Sequence, residues 1–344
     1  MASIKTIAKL ANTSVSSVSR VLNNNGYVSA EVREKVENAI KTLNYRPSSG
    51  ARVLRSGRSL LVGVLLPTLD VQFFGILAHT MEQALFDLGY QTFICSTAES
   101  GEHELRYIAM LLSHRVDGVI VASAHEEFEH FSEFKTNNIP IVAVDRDLNG
   151  LESDMVAVDH EKGGRMMAEH LLKLGHQRIA VVGAPAHSQP IRRRIAGITD
   201  ALRNAGLEPF AVEIGSKHNF EETYRLASSV IGRPERPTAI IGTTDIAAIG
   251  TIHAAHDAGL SIPKDISIIG FDDIPSAAFV LPKLTTVAQP IRELGRSAVA
   301  RLHRLMSGNQ AIADQDVPPL RLVIRETTAP VADCRKSEAA NVEK

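Results

Sequence analysis

Apolar positions along the chain follow two rhythms, and the change-over falls near residue 60. In the first stretch Ile4, Ile7, Ala8 and Ala11 recur at helical spacing behind Ser3, whose hydroxyl suits a helix N-terminus. A second helix is predicted after Ser14, with Val18, Val21 and Leu22 on one side, and only Asn12 and Thr13 stand between the two. A third begins near Ser29 and carries Val32, Val36, Ile40 and Leu43. It stops before Asn44-Tyr45-Arg46-Pro47, because the residue ahead of a proline is pushed out of the helical region. Three short helices, two of them joined by a very tight turn, predict an all-α helix-turn-helix head over residues 1–46.

From Leu60 onward short β-branched runs alternate with amphipathic stretches. Strands are predicted at Leu61 to Leu66, Thr92 to Cys95, Gly118 to Ala122, Ile139 to Val144, Arg178 to Val182, Ala239 to Ile241 and Ile266 to Ile269. Helices fall between them, at Leu77 to Leu88, Glu104 to Leu112, Gly163 to Leu174, Ile195 to Ala205 and Ala247 to Ala258. Strands apolar on both faces and alternating with helices imply doubly wound parallel sheets. The run is too long for one such unit, so an α/β body of two similar lobes is expected over 60–330, with the lobes meeting near 145–162. Residues 47–59 are rich in Ser, Gly and Arg; their composition fits both a passive linker and a short helix ordered by a partner.

Charge sharpens this division. The whole chain of 344 residues carries a net −2, but residues 1–59 hold ten Lys or Arg against three Glu, a net +7. The remaining 27 bases and 36 acids leave the body at −9. A small basic head on an acidic body is what a polyanion-binding module fused to another function looks like. No run approaches the roughly 18 apolar residues of a membrane span and the first thirty residues have no apolar signal region, so a cytoplasmic protein is expected. The two cysteines, Cys95 and Cys334, are far apart and form no metal or redox pair.

Enzyme signatures are missing. There is no Gly-x-Gly, no Gly-x-x-x-x-Gly-Lys loop and no Gly-x-Ser-x-Gly elbow. The His-Glu pairs at His103, His125 and His160 lack the second histidine of a zinc-protease helix, and His253 and His256 have no third ligand in view. Neither a metal nor a cofactor is expected. On the second helix, packing Val18, Val21 and Leu22 inward leaves Ser16 and Arg20 outward, and a guanidinium fork suits the O6/N7 edge of guanine.

These residues carry a family resemblance. The run Ser14-Val15-Ser16-Ser17-Val18-Ser19-Arg20-Val21-Leu22-Asn23, then Val28-Ser29, Arg33-Glu34-Lys35-Val36, Leu43-Asn44-Tyr45-Arg46-Pro47 and Ala51-Arg52-Val53-Leu54, resembles the DNA-binding head and hinge of LacI/GalR-family transcription regulators. The body, through Asp117-Gly118-Val119-Ile120, Gly175-His176-Gln177-Arg178-Ile179, Arg194-Ile195-Ala196-Gly197, Gly270-Phe271-Asp272-Asp273, Leu284-Thr285-Thr286-Val287 and Arg325-Glu326-Thr327-Thr328, is similar to periplasmic sugar-binding proteins. The resemblance implies an N-lobe of about 60–160 plus 290–320, a C-lobe of about 161–289 plus 321–330, and a tail over 331–344. It implies a DNA-facing set of Thr6, Val15, Ser16, Ser17, Ser19, Arg20, Asn23, Ser29, Tyr45, Ala51, Arg52, Leu54 and Arg55, with Leu54 wedged into the minor groove of a palindromic operator. Asn12 stands where the family's turn usually has Gly, and Gly50 inside the hinge helix disfavours it by about 0.5–1 kcal/mol relative to Ala.

The same resemblance implies an effector cleft formed by Phe73, Phe74, Arg146, Arg194, Asp245 and Asp272, a set whose aromatic faces, carboxylates and guanidinium forks suit a polyol; the alternatives are that one phenylalanine belongs to the core and that Asp245 braces the pocket. Arg192 and Arg193 beside Arg194 also admit a sugar acid or sugar phosphate, and Thr244 replaces an Asn common in relatives. The expected protein is a homodimeric repressor of carbohydrate-utilisation genes, released from its operator by a small effector or, in the opposite sign that some family members use, recruited to it, with no catalytic activity and no membrane partner. The tail lacks the leucine heptads of a tetramerising helix. The rival reading is a sugar-binding protein without regulatory DNA binding.

Overall fold

The computed structural model describes residues 3–23, 25–45, 58–122, 128–146, 148, 154–183, 185, 187–308 and 317–331. Ala51, Arg52, Leu54 and Arg55 of the expected hinge lie outside the described residues, as does Cys334. The chain divides into two compact units between Ser59 and Leu60.

The first unit holds α1 (Ile4–Leu10), α2 (Val15–Asn23) and α3 (Ala30–Thr42). Each helix starts on a serine whose Oγ accepts a backbone N–H three residues on: Ser3 from Thr6 at 3.2 Å, Ser14 from Ser17 at 3.0 Å and Ser29 from Val32 at 3.4 Å. Such caps contribute about 1 kcal/mol each. Asn12 sits at φ +46° in the turn between α1 and α2, a left-handed geometry that asparagine tolerates better than most residues. Ile7, Ala8, Ala11, Val18, Val21, Val36 and Ala39 close a single small core.

The second unit contains two sheets. The first, in spatial order β2-β1-β3-β4-β5, is parallel throughout and comprises β1 (Leu61–Leu66), β2 (Gln91–Ser96), β3 (Gly118–Val121), β4 (Ile141–Val144) and β5 (Asp154–Val156). The second runs β11-β10-β9-β8-β6-β7 and comprises β6 (Ile179–Gly183), β7 (Ala211–Ile214), β8 (Ala239–Gly242), β9 (Ser267–Asp272), β10 (Thr285–Ala288) and β11 (Arg321–Val323). It too is parallel, except that β11 pairs antiparallel with β10 at the edge.

The helices that place the site are α4 (Gln72–Asp87), α5 (Gly101–Ser113), α6 (Ser132–Thr136), α7 (His160–Lys173), α8 (Gln189–Asn204), α9 (Phe220–Ile231), α10 (Asp245–Asp257), α11 (Pro275–Phe279) and α12 (Ile291–Ser307). The chain crosses between lobes after β5 and returns after β10, so that α12 packs on α4, β3, β4 and β5 of the first lobe. It then crosses back to supply β11. Three crossings join the two lobes.

Two glycines bring α7 and α8 nearly into backbone contact. A Cβ on Gly164 would lie 2.0 Å from the Arg194 carbonyl oxygen, and one on Gly197 would lie 1.9 Å from that of Glu161. The Arg194-Ile195-Ala196-Gly197 motif thereby acquires a local explanation: the glycine admits the neighbouring helix and fixes the height at which Arg194 leaves α8. Gly197→Ala is expected to cost about 1–3 kcal/mol through overpacking, read as a lower denaturation midpoint of the body. A midpoint equal to that of the unaltered protein would mean the two helices separate freely.

Candidate DNA-reading surface and effector cleft

On the head, α2 buries Val18 and Val21 and leaves Ser16 and Arg20 exposed, with Ser17 and Ser19 half-buried. Val15, in the first turn of α2, is 46% exposed, an apolar side chain offered to solvent. The Ser14 hydroxyl joins those of Ser16 and Ser17 at 2.7 and 2.9 Å. Thr6 is exposed beside its Ser3 cap, and Ser29 caps α3. Tyr45 packs against the head core, while Asn23 ends α2. The geometry therefore brings Val15, Ser16 and Arg20 onto one open helix face, and it uses Ser29 and Tyr45 in building the head as well.

In the body, the loops after β1, β3, β4, β6, β7 and β8 and the last residue of β9 converge on a cleft. Both sheets thus face it with the carboxyl ends of their strands, where open α/β sheets hold ligands. Phe73, Phe74, Arg146, Arg194 and Asp272 all line it. The two phenyl rings meet edge to face, 5.1 Å apart at 84°, so a continuous aromatic wall stands on one side. Of the three consecutive arginines only Arg194 is in the lining; Arg192 is exposed and donates to the His187 carbonyl at 2.8 Å.

Asp245 corrects the expectation. Its side chain is fully buried behind the cleft, where Oδ1 accepts from the Thr286 hydroxyl at 2.6 Å and Oδ2 from the Ile274 N–H at 2.9 Å. Both oxygens are committed to joining α10, β10 and the loop after β9. Burial, with the Asp272 carboxylate nearby, pushes its carboxyl up to about 8. Asp245 is a brace rather than part of the lining. Asp273 likewise turns away, to Arg325 Nη2 at 2.6 Å.

At the floor sits a buried polar chain that spans both lobes. Arg194 donates through Nη1 to the Thr243 carbonyl at 2.7 Å and through Nε to His160 Nδ1 at 3.3 Å. Its guanidinium carbon stands 3.7 Å from the centre of the Phe271 ring, and Nη2 lies 3.6 Å from Asp272 Oδ1. Because His160 Nδ1 accepts, the ring proton is on Nε2, which faces Asp145 Oδ1 at 3.2 Å. Asp145 Oδ1 also accepts from the Val158 N–H at 3.1 Å. Asp272 accepts from Gln289 Nε2 at 2.7 Å, and burial pushes its carboxyl up to about 6 against the opposing pull of Arg194.

The backbone is strained where these groups are aimed. Asp145, Asp272 and Asp273 lie at φ +56°, +123° and +59°, and Ala98 and Glu99 at +51° and +56°. Non-glycine residues in such regions cost about 1–3 kcal/mol each and cluster at ligand sites.

Several lining residues had no place in the sequence-based set: Asp145, Ser188, Thr244 and His218. Thr244 caps α10 by accepting the Ala247 N–H at 3.2 Å. His218 follows β7, a short edge strand without an apolar run; the signal available was Asn219, three residues before Glu222, whose N–H it accepts at 2.9 Å at the start of α9.

Comparison with known proteins follows this division of the chain. Residues 3–48 match the model for bacterial regulatory proteins of the lacI family, and residues 168–328 match that of a periplasmic binding protein-like domain. The ribose operon repressor of Halalkalibacterium halodurans is 36% identical over 328 residues, covering 95% of this chain and 97% of that protein. The chain belongs to the LacI family. A lac repressor dimer bound to operator and the anti-inducer ONPF matches 95% of the chain and 99% of its own, at 31% identity and a TM-score of 0.85. A LacI-family regulator from Enterococcus faecium with bound ribose is 30% identical, covers 79% of this chain and all of its own, and has a TM-score of 0.72. As a LacI-family member the chain is a DNA-binding transcriptional regulator and not an enzyme, and the rival reading of a binding protein without DNA function falls away. Among the described residues no helix is long and apolar enough to cross a membrane, and no group of three or more His, Cys, Asp or Glu could hold a metal ion.

His160 makes the pH response of this LacI-family body predictable in sign. Burial holds its imidazole below the usual histidine range, and the same cause acts on His170 and His176. The unfolded chain then binds protons that the folded chain refuses, so these histidines lower stability as pH falls below about 6.5. The raised carboxyls of Asp245 and Asp272 act in the opposite sense, since the folded chain keeps their protons. The His160 contribution is isolated by difference: His160→Gln is expected to flatten the loss of stability between pH 6.5 and 5 by up to about 1.4 kcal/mol per pH unit in denaturant titrations. Parallel curves for the two proteins would contradict it.

Proposed function

We propose that this regulator is a cytoplasmic, homodimeric repressor of carbohydrate-utilisation genes, released from a palindromic operator when a monosaccharide occupies the cleft. The observation that carries the effector half is the cleft itself: an aromatic wall of Phe73 and Phe74 faces guanidinium and carboxylate groups from Arg146, Arg194 and Asp272. Apolar C–H faces of a sugar ring stack on the first, and adjacent hydroxyls pair with the second. Arg194 is set against Asp272 and Asp145 stands beside it through His160, which favours a neutral polyol over a sugar acid or sugar phosphate. The ribose repressors among its relatives and the ribose-bound structure support a pentose.

For the operator half, Val15, Ser16 and Arg20 on the open face of α2 read bases in the major groove, supported at the phosphates by Thr6, Ser17, Ser19, Asn23, Ser29 and Tyr45. The hinge residues Ala51, Arg52, Leu54 and Arg55 complete the contact in the minor groove. The mechanism is linkage: effector binding changes the separation of the lobes, the two hinges of the dimer lose their common geometry, and operator affinity falls by a coupling energy of about 1–3 kcal/mol.

Gel-shift assays on the DNA upstream of the regulator's own gene test the operator half. Binding is expected to weaken steeply with salt, and Arg20→Ala to lose about tenfold to a hundredfold on the preferred site with relaxed base preference at one position. Failure to bind any palindromic site would sink the reading. The effector half is tested by calorimetry with D-ribose, other pentoses and hexoses, and their acid and phosphate forms. A neutral pentose is expected to bind and to release DNA, while Arg146→Ala keeps operator affinity and loses the response. Binding confined to the anionic forms would overturn the neutral-sugar assignment.

A further inference from the structure

One contact at the mouth of the cleft joins the lobes directly. Glu99, in the loop after β2 of the first lobe, places Oε1 2.7 Å from Nδ1 of His218 in the second lobe and 3.3 Å from the His218 backbone N. One carboxylate oxygen thus accepts from both the ring and the backbone of the same residue. The two side chains are 7% and 11% exposed, and His218 lines the cleft with its ring edge-on to Phe74 at 5.8 Å. Glu99 reaches this position through two successive left-handed residues, Ala98 and Glu99 itself, with its N–H anchored on the Pro67 carbonyl at 3.0 Å. A second bridge lies nearby, where Ser276 donates its N–H and hydroxyl to Gln72 Oε1 at 3.2 and 2.9 Å.

We propose that His218 is an effector-contacting residue and that Glu99, from the opposite lobe, is its positioning residue, so that closing the lobes and completing the site are one event. The chemistry follows from the ring. With its Nδ1–H given to Glu99, the imidazole has Nε2 as its remaining polar atom, and in that tautomer Nε2 accepts a hydrogen bond from a hydroxyl. An isolated histidine prefers the other tautomer, with the proton on Nε2; the carboxylate selects the form that accepts. When the lobes part, Glu99 withdraws and the selection is lost. The carboxyl is held below its usual range by His218 although burial acts the other way, as a charge-assisted pair requires.

This inference rests on the effector reading of the cleft, but its test needs no effector. In the full-length protein with Cys334→Ser, spin labels at Gln83→Cys and Asn204→Cys report lobe separation by electron–electron resonance. Long-range 15N–1H spectra at pH 7 report the His218 tautomer, assigned by its absence in His218→Ala. Glu99→Ala is expected to lower the closed-to-open ratio about tenfold and return His218 to the Nε2–H form. Glu99→Gln, which keeps an acceptor without the charge, is expected to recover the Nδ1–H tautomer in part. His218→Ala should open the lobes to the same extent, and the double alanine variant no further. An unchanged tautomer in Glu99→Ala, or openings that add in the double variant, would overturn the proposal. D-ribose then separates the two ideas. A shift of the His218 Nε2 resonance supports contact with the effector, whereas ribose binding that leaves this resonance unmoved overturns the contact while leaving the sugar-effector reading intact.

Discussion

The body depends on the buried guanidinium of Arg194, which with Arg146 is one of two buried arginines among the described residues. Arg194 is taken almost wholly out of water, and a guanidinium in that position must be matched or it unfolds its surroundings. Its four partners come from three places: the first residue of α7 (His160), the loop after β8 (Thr243), and the end of β9, which supplies both Asp272 and the ring of Phe271. Through His160 the chain of contacts continues to Asp145 in the other lobe. Removing one partner of a buried charge typically costs about 3–5 kcal/mol, because the remaining group is left desolvated. The close approach of α7 and α8 at Gly164 and Gly197 holds Arg194 at the depth where all of these partners reach it.

That chain also relates architecture to regulation. The cleft needs polar groups from two sheets, each of which has an apolar outer face of its own while a larger apolar cluster takes in residues of both. Among the described residues, polar contacts between the lobes include the Asp145–His160–Arg194–Asp272 chain near the crossings and the Glu99–His218 and Gln72–Ser276 bridges at the mouth. A few polar bridges around strained loops leave two arrangements within reach of the binding energy of a small molecule, which is the condition for a population shift.

Much of the fold was legible along the chain. The head was readable because three capping serines and short helical periods are local signals, and so was the left-handed turn at Asn12. The central strands β1, β3, β4, β6, β8 and β9 were readable because burial on both faces demands continuous apolar runs. The edge strands β5, β7 and β11 were not, since three or four residues with one exposed face carry no such run. Strand β10 is fully buried but begins Thr285-Thr286, and these threonines are acceptable there because distant segments bond their hydroxyls: Thr328 Oγ1 and the Arg325 N–H at Thr285, and Asp245 Oδ1 at Thr286.

The candidate site divides along the same line. Phe73, Phe74, Arg146, Arg194 and Asp272, the positions that the family resemblance singled out, line the cleft. Composition and local pattern likewise determined that a +7 helical head precedes an acidic two-lobed body. Which carboxylate faces the cleft was decided only in three dimensions. Asp245 and Asp272 are both buried acids at the ends of adjacent strands, but Thr286 and Ile274 occupy both oxygens of the first and draw it behind the wall. His218 enters the cleft because Glu99, 119 residues away along the chain, meets it across the mouth. Periodicity and capping are interactions within a few residues and so are written in the order of the chain; desolvation and charge pairing act on whatever folding brings together, and no local pattern carries that.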